Sequence, residues 1–133
     1  MITFQQMEVD DGVMHNERSS LGDWYQSIRM LPIGELSVGD LARAVRQKLF
    51  LRVIILEVFK RLLEDPLAGE QFDGELIASL GSLTSADWGE LDVVRADVGL
   101  LWNDIIKTLE RMDIEEDILL DARKVTVALI EKK

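Results

Sequence analysis

Cysteine is absent from the sequence, which excludes a disulfide framework, a thiolate metal site and a cysteine nucleophile, and suits a reducing compartment. Histidine occurs once, at position 15. A zinc site or a catalytic set built on two histidines therefore has no second member, and His15 reads as a surface residue. There is no Glu-x-x-His pair of the kind a four-helix metal site needs, and no glycine-rich phosphate loop. Long apolar runs are missing too. The most apolar stretch, Leu49 to Leu63, is interrupted by Arg52, Glu57, Lys60 and Arg61. It falls short of the roughly 20 residues that a bilayer span requires, so it reads as a core helix. Alternating β-branched runs bounded by turn residues do not occur either, which disfavours a sheet.

The chain that remains has 133 residues, 47% of them apolar and 30% charged. This is the makeup of one globular domain with enough apolar side chain for a core of its own. Its net charge is −10. Such a field repels nucleic acid, whose binding depends on Lys and Arg displacing counterions, and it favours encounter with a basic protein partner. Met1 to Asp11 carries Glu8, Asp10 and Asp11 and no basic segment leading into an apolar run, so a secretory signal is not expected and the cytosol is the expected location.

Met1 to Asn16 shows no clean period and is read as a flexible or irregular tail. From Glu17 to Met30 a helix is expected, with Asn16, Ser19 or Ser20 as caps and Leu21, Trp24, Tyr25 and Ile28 on one face. Pro32 and Gly34 stop it. Ser37-Val-Gly-Asp40 resembles a capping box for a helix through Leu41, Ala44 and Val45. A second helix to about Glu64 is apolar around most of its girth and is expected at the centre, and Asp65-Pro66 ends it.

Asp73 is read as the cap of a short helix carrying Leu76, Ile77, Leu80 and Leu83, and Thr84-Ser-Ala-Asp87 as the cap of the next. Val94, Val98, Trp102, Ile105, Leu109 and Met112 then recur at steps of three and four, the mark of an amphipathic helix over Asp92 to Met112. Asp113 with Glu116 suggests a further start, followed by the stripe Ile114, Ile118, Ala122, Val125 and Leu129. The fold expected is all-α: five to seven helices in an irregular bundle or in a short stack of helical hairpins.

A linear order of short pieces carries further information. They are Trp24 through Leu31-Pro-Ile-Gly-Glu-Leu36, Ser37-Val-Gly-Asp-Leu41, Arg46-Gln47, Val58 to Leu63, Glu64-Asp-Pro-Leu-Ala-Gly-Glu-Gln-Phe72 and Gly74-Glu-Leu-Ile77. Together, over Leu21 to about Trp88, they resemble the family of bacterial contact-dependent growth inhibition immunity proteins. The resemblance implies a cytosolic antidote that binds the C-terminal domain of a toxin encoded with it. Toxins of that type are commonly nucleases, so the implied partner is a basic domain that grips phosphate. No cofactor is implied.

Charge along the chain is segregated. Glu64 to Asp97 holds nine acids against Arg95 alone, and Asp113 to Asp121 adds five acids and no base, whereas Arg43 to Arg61 holds six bases against Glu57. For any one acid a solvated helix face or a cap is the plainer role, above all for Asp73, Asp87 and Asp113. Glu70, Glu75, Glu90 and Asp92 flank short connections and are the acids expected at a toxin interface. Trp88, beside Gly89 between two helices, is a candidate anchor, with core packing as its plainer role and as the expectation for Trp24 and Trp102. An acidic helical adaptor for a protein unrelated to any toxin is the alternative function. An enzyme is not expected, because the usual sets of nucleophile, base and metal are missing.

Overall fold

Eight α-helices and one short 3-10 turn make up most of the computed structural model, which describes residues 2–11 and 20–130. The all-α bundle is as expected, with eight α-helices among the described residues where five to seven are expected. His15, the proposed caps Asn16 and Ser19, and the terminal residues Glu131, Lys132 and Lys133 lie outside the described residues. The chain clusters into two units, Met1–Ser37 and Val38–Lys133.

The first unit corrects one expectation. Within the stretch read as a tail lies a helix, α1 (Phe4–Asp11). It is started by Thr3 and Gln6: the Gln6 amide donates to Thr3 Oγ1 at 3.2 Å and the Thr3 amide to Gln6 Oε1 at 2.9 Å. This reciprocal pair is a capping box. Phe4 and Met7 are the buried residues of its first turns, and the Phe4 ring meets Tyr25 of α2 (Ser20–Ile28) at 5.5 Å. The chain on either side is tied back, with the Gln5 amide donating to Arg29 O, the Ile33 amide donating to Ile2 O, and Thr3 bridged to Pro32. Of the expected α2 face, Tyr25 and Ile28 are buried and Leu21 and Trp24 are half-buried. The 3-10 turn Ile33–Glu35 follows directly after Pro32.

In the second unit, α3 (Val38–Arg46) begins right after Ser37, and α4 (Leu51–Glu64) ends where Pro66 was expected to end it. Lys48 and Phe50 in the intervening turn have φ of 59° and 47°, the left-handed region that non-glycine residues seldom enter. After α5 (Glu75–Gly81) and the single-turn α6 (Ser85–Gly89) come the long α7 (Asp92–Glu110) and α8 (Glu116–Ile130). The helices pack in a cycle: α3 on α4, α4 on α7, α7 on α8, α8 on α5 and α5 on α3. The hairpins α3/α4 and α7/α8 thus lie side by side, with α5 bridging them.

The buried residues of α4 are Ile54, Ile55, Val58, Phe59 and Leu62, those of α7 Val98, Trp102, Ile105 and Leu109, and those of α8 Ile118, Ala122, Val125 and Leu129. These are the rows that helical periodicity predicts, with Val94 and Ile114 only half-buried at the helix starts and Met112 exposed past the end of α7.

Two caps differ from expectation. Asp73 does not cap α5; Gly74 occupies that position with φ of 83°. A side chain there would meet Ile118 Cγ1 of α8 at 2.9 Å, so both the backbone and the close approach require glycine. Asp113 does not cap α8 either, because that helix begins only at Glu116, with the Glu115 carbonyl taking its first amides.

The expected cap of α6 is present in full. Asp87 N donates to Thr84 Oγ1 at 3.1 Å, and Thr84 N donates to an Asp87 carboxylate oxygen at 2.8 Å. Lys48 Nζ lies 3.1 Å from the same oxygen, which joins the α3–α4 turn to α6. The Thr84 amide, then the Lys48 ammonium, holds the Asp87 carboxyl below its ordinary pKa. A depressed folded-state pKa stabilises the fold above the unfolded carboxylate range, and the contribution disappears as pH falls through the folded value. Asp87→Ala should therefore lower stability by about 1 kcal/mol at neutral pH, with the gap from the parent protein closing in acid. Urea melts at both conditions measure it; a gap independent of pH would remove the carboxylate from this role.

Candidate protein-binding surface

The acids singled out along the sequence fall in different places. Glu75 is the clearest correction, because it is not at the surface: it is 3% exposed. Its Oε1 accepts the amides of Glu70 at 2.8 Å and Gln71 at 3.2 Å, and its Oε2 lies 3.8 Å from Arg46 Nη1 of α3. The carboxylate takes up two donors that the loop ahead of α5 would otherwise leave unpaired. Glu70 is exposed, but its carboxylate lies against Gly39 in the first turn of α3, where an acid complements the helix dipole. Glu90 is exposed after α6.

Asp92 is exposed in the first turn of α7 and pairs with Arg95 at 3.4 Å. Trp88 is 5% exposed, the core-packed alternative rather than the protruding anchor. Its carbonyl accepts from Arg95 Nη2 at 2.8 Å, so Arg95 fastens the end of α6 to the start of α7.

Trp88 and Asp92 come together on one feature, a groove of about 1370 Å³ with α5, α6 and the start of α7 along one side and α8 along the other. Glu70, Glu75 and Glu90 do not line it. Sequence reasoning missed the residues that give the groove its character. Phe72, Leu120 and Val127 line it and are 55%, 45% and 50% exposed. Around them stand six acids, Asp73, Asp92, Asp113, Glu115, Asp117 and Asp121, against three bases, Arg95, Arg123 and Lys124.

The signal for Leu120 and Val127 was present in the sequence, because both are apolar yet lie off the α8 core stripe of Ile118, Ala122, Val125 and Leu129. Surplus apolar residues on the outer side of an amphipathic helix mark a second contact surface. No group of three or more His, Asp or Glu among the described residues is placed to hold a metal. Nor is any described helix long and apolar enough to cross a membrane. What the groove offers is exposed apolar side chains together with a surplus of acids, a combination suited to protein recognition.

Comparison with known proteins bears on the same chain. No curated protein matches it. The model of a protein family described as CDI immunity proteins, CDI being contact-dependent growth inhibition, matches residues 7–98. That span is roughly two thirds of the chain; it contains all the pieces that carry the resemblance and one side of the groove, while α8 lies past it. On the strength of that match, this chain belongs to the family of CDI immunity proteins.

Proposed function

We propose that the protein binds the C-terminal domain of the toxin encoded with it and neutralises that domain by steric and electrostatic occlusion, acting in the cytosol with no bond-making chemistry of its own. The observation that carries this reading is the family match over residues 7–98. The net charge of −10 supports it: a nuclease must present a positive cleft to hold phosphate, and an acidic body is drawn to that cleft and covers it. On this reading, as the resemblance implies, the toxin is a basic nuclease.

Glu70, Glu90 and Asp92 are exposed acids on or beside short connections, and all three contribute to the attracting field. Reversing them together to lysine should slow association with the toxin domain by about tenfold at low salt and flatten the dependence of the rate on ionic strength. Stopped-flow binding measures both. An unchanged rate would take these three residues out of the encounter, while a toxin domain that forms no one-to-one complex with the parent protein would overturn the reading itself.

A further inference from the structure

The groove beside α8 is larger than the roughly 300–1,000 Å³ typical of small-molecule sites, and the internal packing of the fold does not account for its surface. Phe72, Leu120 and Val127 are each about half exposed along it, although a solvated helix gains nothing by placing leucine and valine on its outer side. Part of its charge is spent internally: Arg95 is held by Trp88 O and Asp92, and Lys124 lies 3.7 Å from Asp121. Asp73, Asp113, Glu115 and Asp117 make no ion pair among the described residues. The acids ahead of α8 complement that helix's dipole without any partner, but the dipole gives no reason for exposed apolar side chains in the same groove.

We infer that this groove is the seat of a basic, amphipathic segment of the toxin domain, one that places apolar side chains on Phe72, Leu120 and Val127 and Lys or Arg side chains against Asp113 and Asp117. Charge selects this occupant over its rivals. A second copy of the chain would bring one acidic border against another at a net charge of −10 each, and a nucleic acid would be repelled by the same border. The inference rests on the toxin-binding reading and sharpens it, by assigning the contact to a surface with α8 as one side.

The test is binding of the full chain to the isolated C-terminal toxin domain, followed by surface plasmon resonance with three variants. Leu120→Glu/Val127→Glu should weaken binding by about tenfold or more, chiefly through faster dissociation. Asp113→Lys/Asp117→Lys should weaken it similarly, chiefly through slower association. Val93→Glu, at a 74% exposed position of α7 off the groove, should leave it unchanged. Thermal melts establish that each variant is folded. Hydrogen exchange, which needs no substitution, should show slowed amides over residues 119–128 in the complex.

If both groove variants bind as the parent does and that helix gains no protection, the groove assignment is overturned and the toxin-binding reading stands. If the parent protein does not bind the toxin domain, both fall together. A sedimentation result in which the parent self-associates and Leu120→Glu/Val127→Glu does not would give the groove to a second copy and overturn the inference.

Discussion

Replacing Trp102 with alanine should destabilise the protein by about 3–5 kcal/mol, a large part of the 5–15 kcal/mol that holds a domain of this size together. Trp102 is fully buried on α7 and joins two of the packing contacts that make up the cycle of helices. Against α4, its ring meets Phe59 edge-on, with centroids 6.0 Å apart and planes at 87°, the geometry in which a positive ring edge faces a negative π cloud. Toward α8, its Nε1 donates to Thr126 Oγ1 at 2.9 Å, and that hydroxyl in turn donates to Ala122 O at 3.1 Å. Alanine would leave a cavity among three helices and strand the hydroxyl's acceptor side. Trp102→Phe retains much of the ring and should lose only about 1–2 kcal/mol, from the missing hydrogen bond and residual cavity. Urea unfolding followed by circular dichroism checks both. A loss below about 1 kcal/mol for the alanine variant would mean that α7 is not anchored where the structure has it.

The second large effect is expected at Glu75. Truncation to alanine leaves the amides of Glu70 and Gln71 without their acceptor and leaves Arg46 without its carboxylate. The cost should be about 3 kcal/mol, because orphaned donors lose their water without gaining a partner. Glu75→Gln keeps an amide oxygen for the two donors but turns an NH2 toward the Arg46 guanidinium, so a loss of about 1 kcal/mol is expected. In molecules that remain folded, neither substitution should change the rate of toxin association, since the carboxylate is turned inward. Calorimetric melting measures the first expectation and stopped-flow binding the second. A Glu75→Ala protein with parent-like stability and slowed association would return Glu75 to the interface.

Much of the fold is legible in the sequence because a periodic pattern reports packing directly. Val98, Trp102, Ile105 and Leu109 recur at the helical step and all are buried, and Pro66 stops α4 by a local steric rule. The α6 cap is as plain, since Thr84 and Asp87 satisfy each other within one turn. Helix α1 escaped for want of length rather than of signal: with only Phe4 and Met7 as a visible buried row, the Thr3-Phe-Gln-Gln6 capping box was its one marker.

Where a residue's role depends on a distant part of the chain, local reading goes astray. Gly74 begins α5 because Ile118, far along the chain, leaves no room for a side chain, so Asp73 never becomes the cap. Glu75 stands among surface-like neighbours, Glu70, Gln71 and Asp73, yet is buried, its carboxylate taken up by the amides of Glu70 and Gln71 in the turn it closes and facing Arg46. The groove likewise joins Phe72 and Trp88 to Leu120 and Val127 only after α5 packs on α8. Asp92 and Trp88, both at connections, line that groove, whereas Glu70 and Glu90 do not.

Cells expressing the toxin domain proposed as the partner, grown with and without this protein, show whether the protein neutralises that domain. Arrest by the toxin domain alone, recovery when the protein is co-expressed, and a one-to-one complex in the lysate of the recovered cells are expected. Continued arrest, with the protein folded and abundant beside an active toxin domain, would contradict neutralisation by this protein.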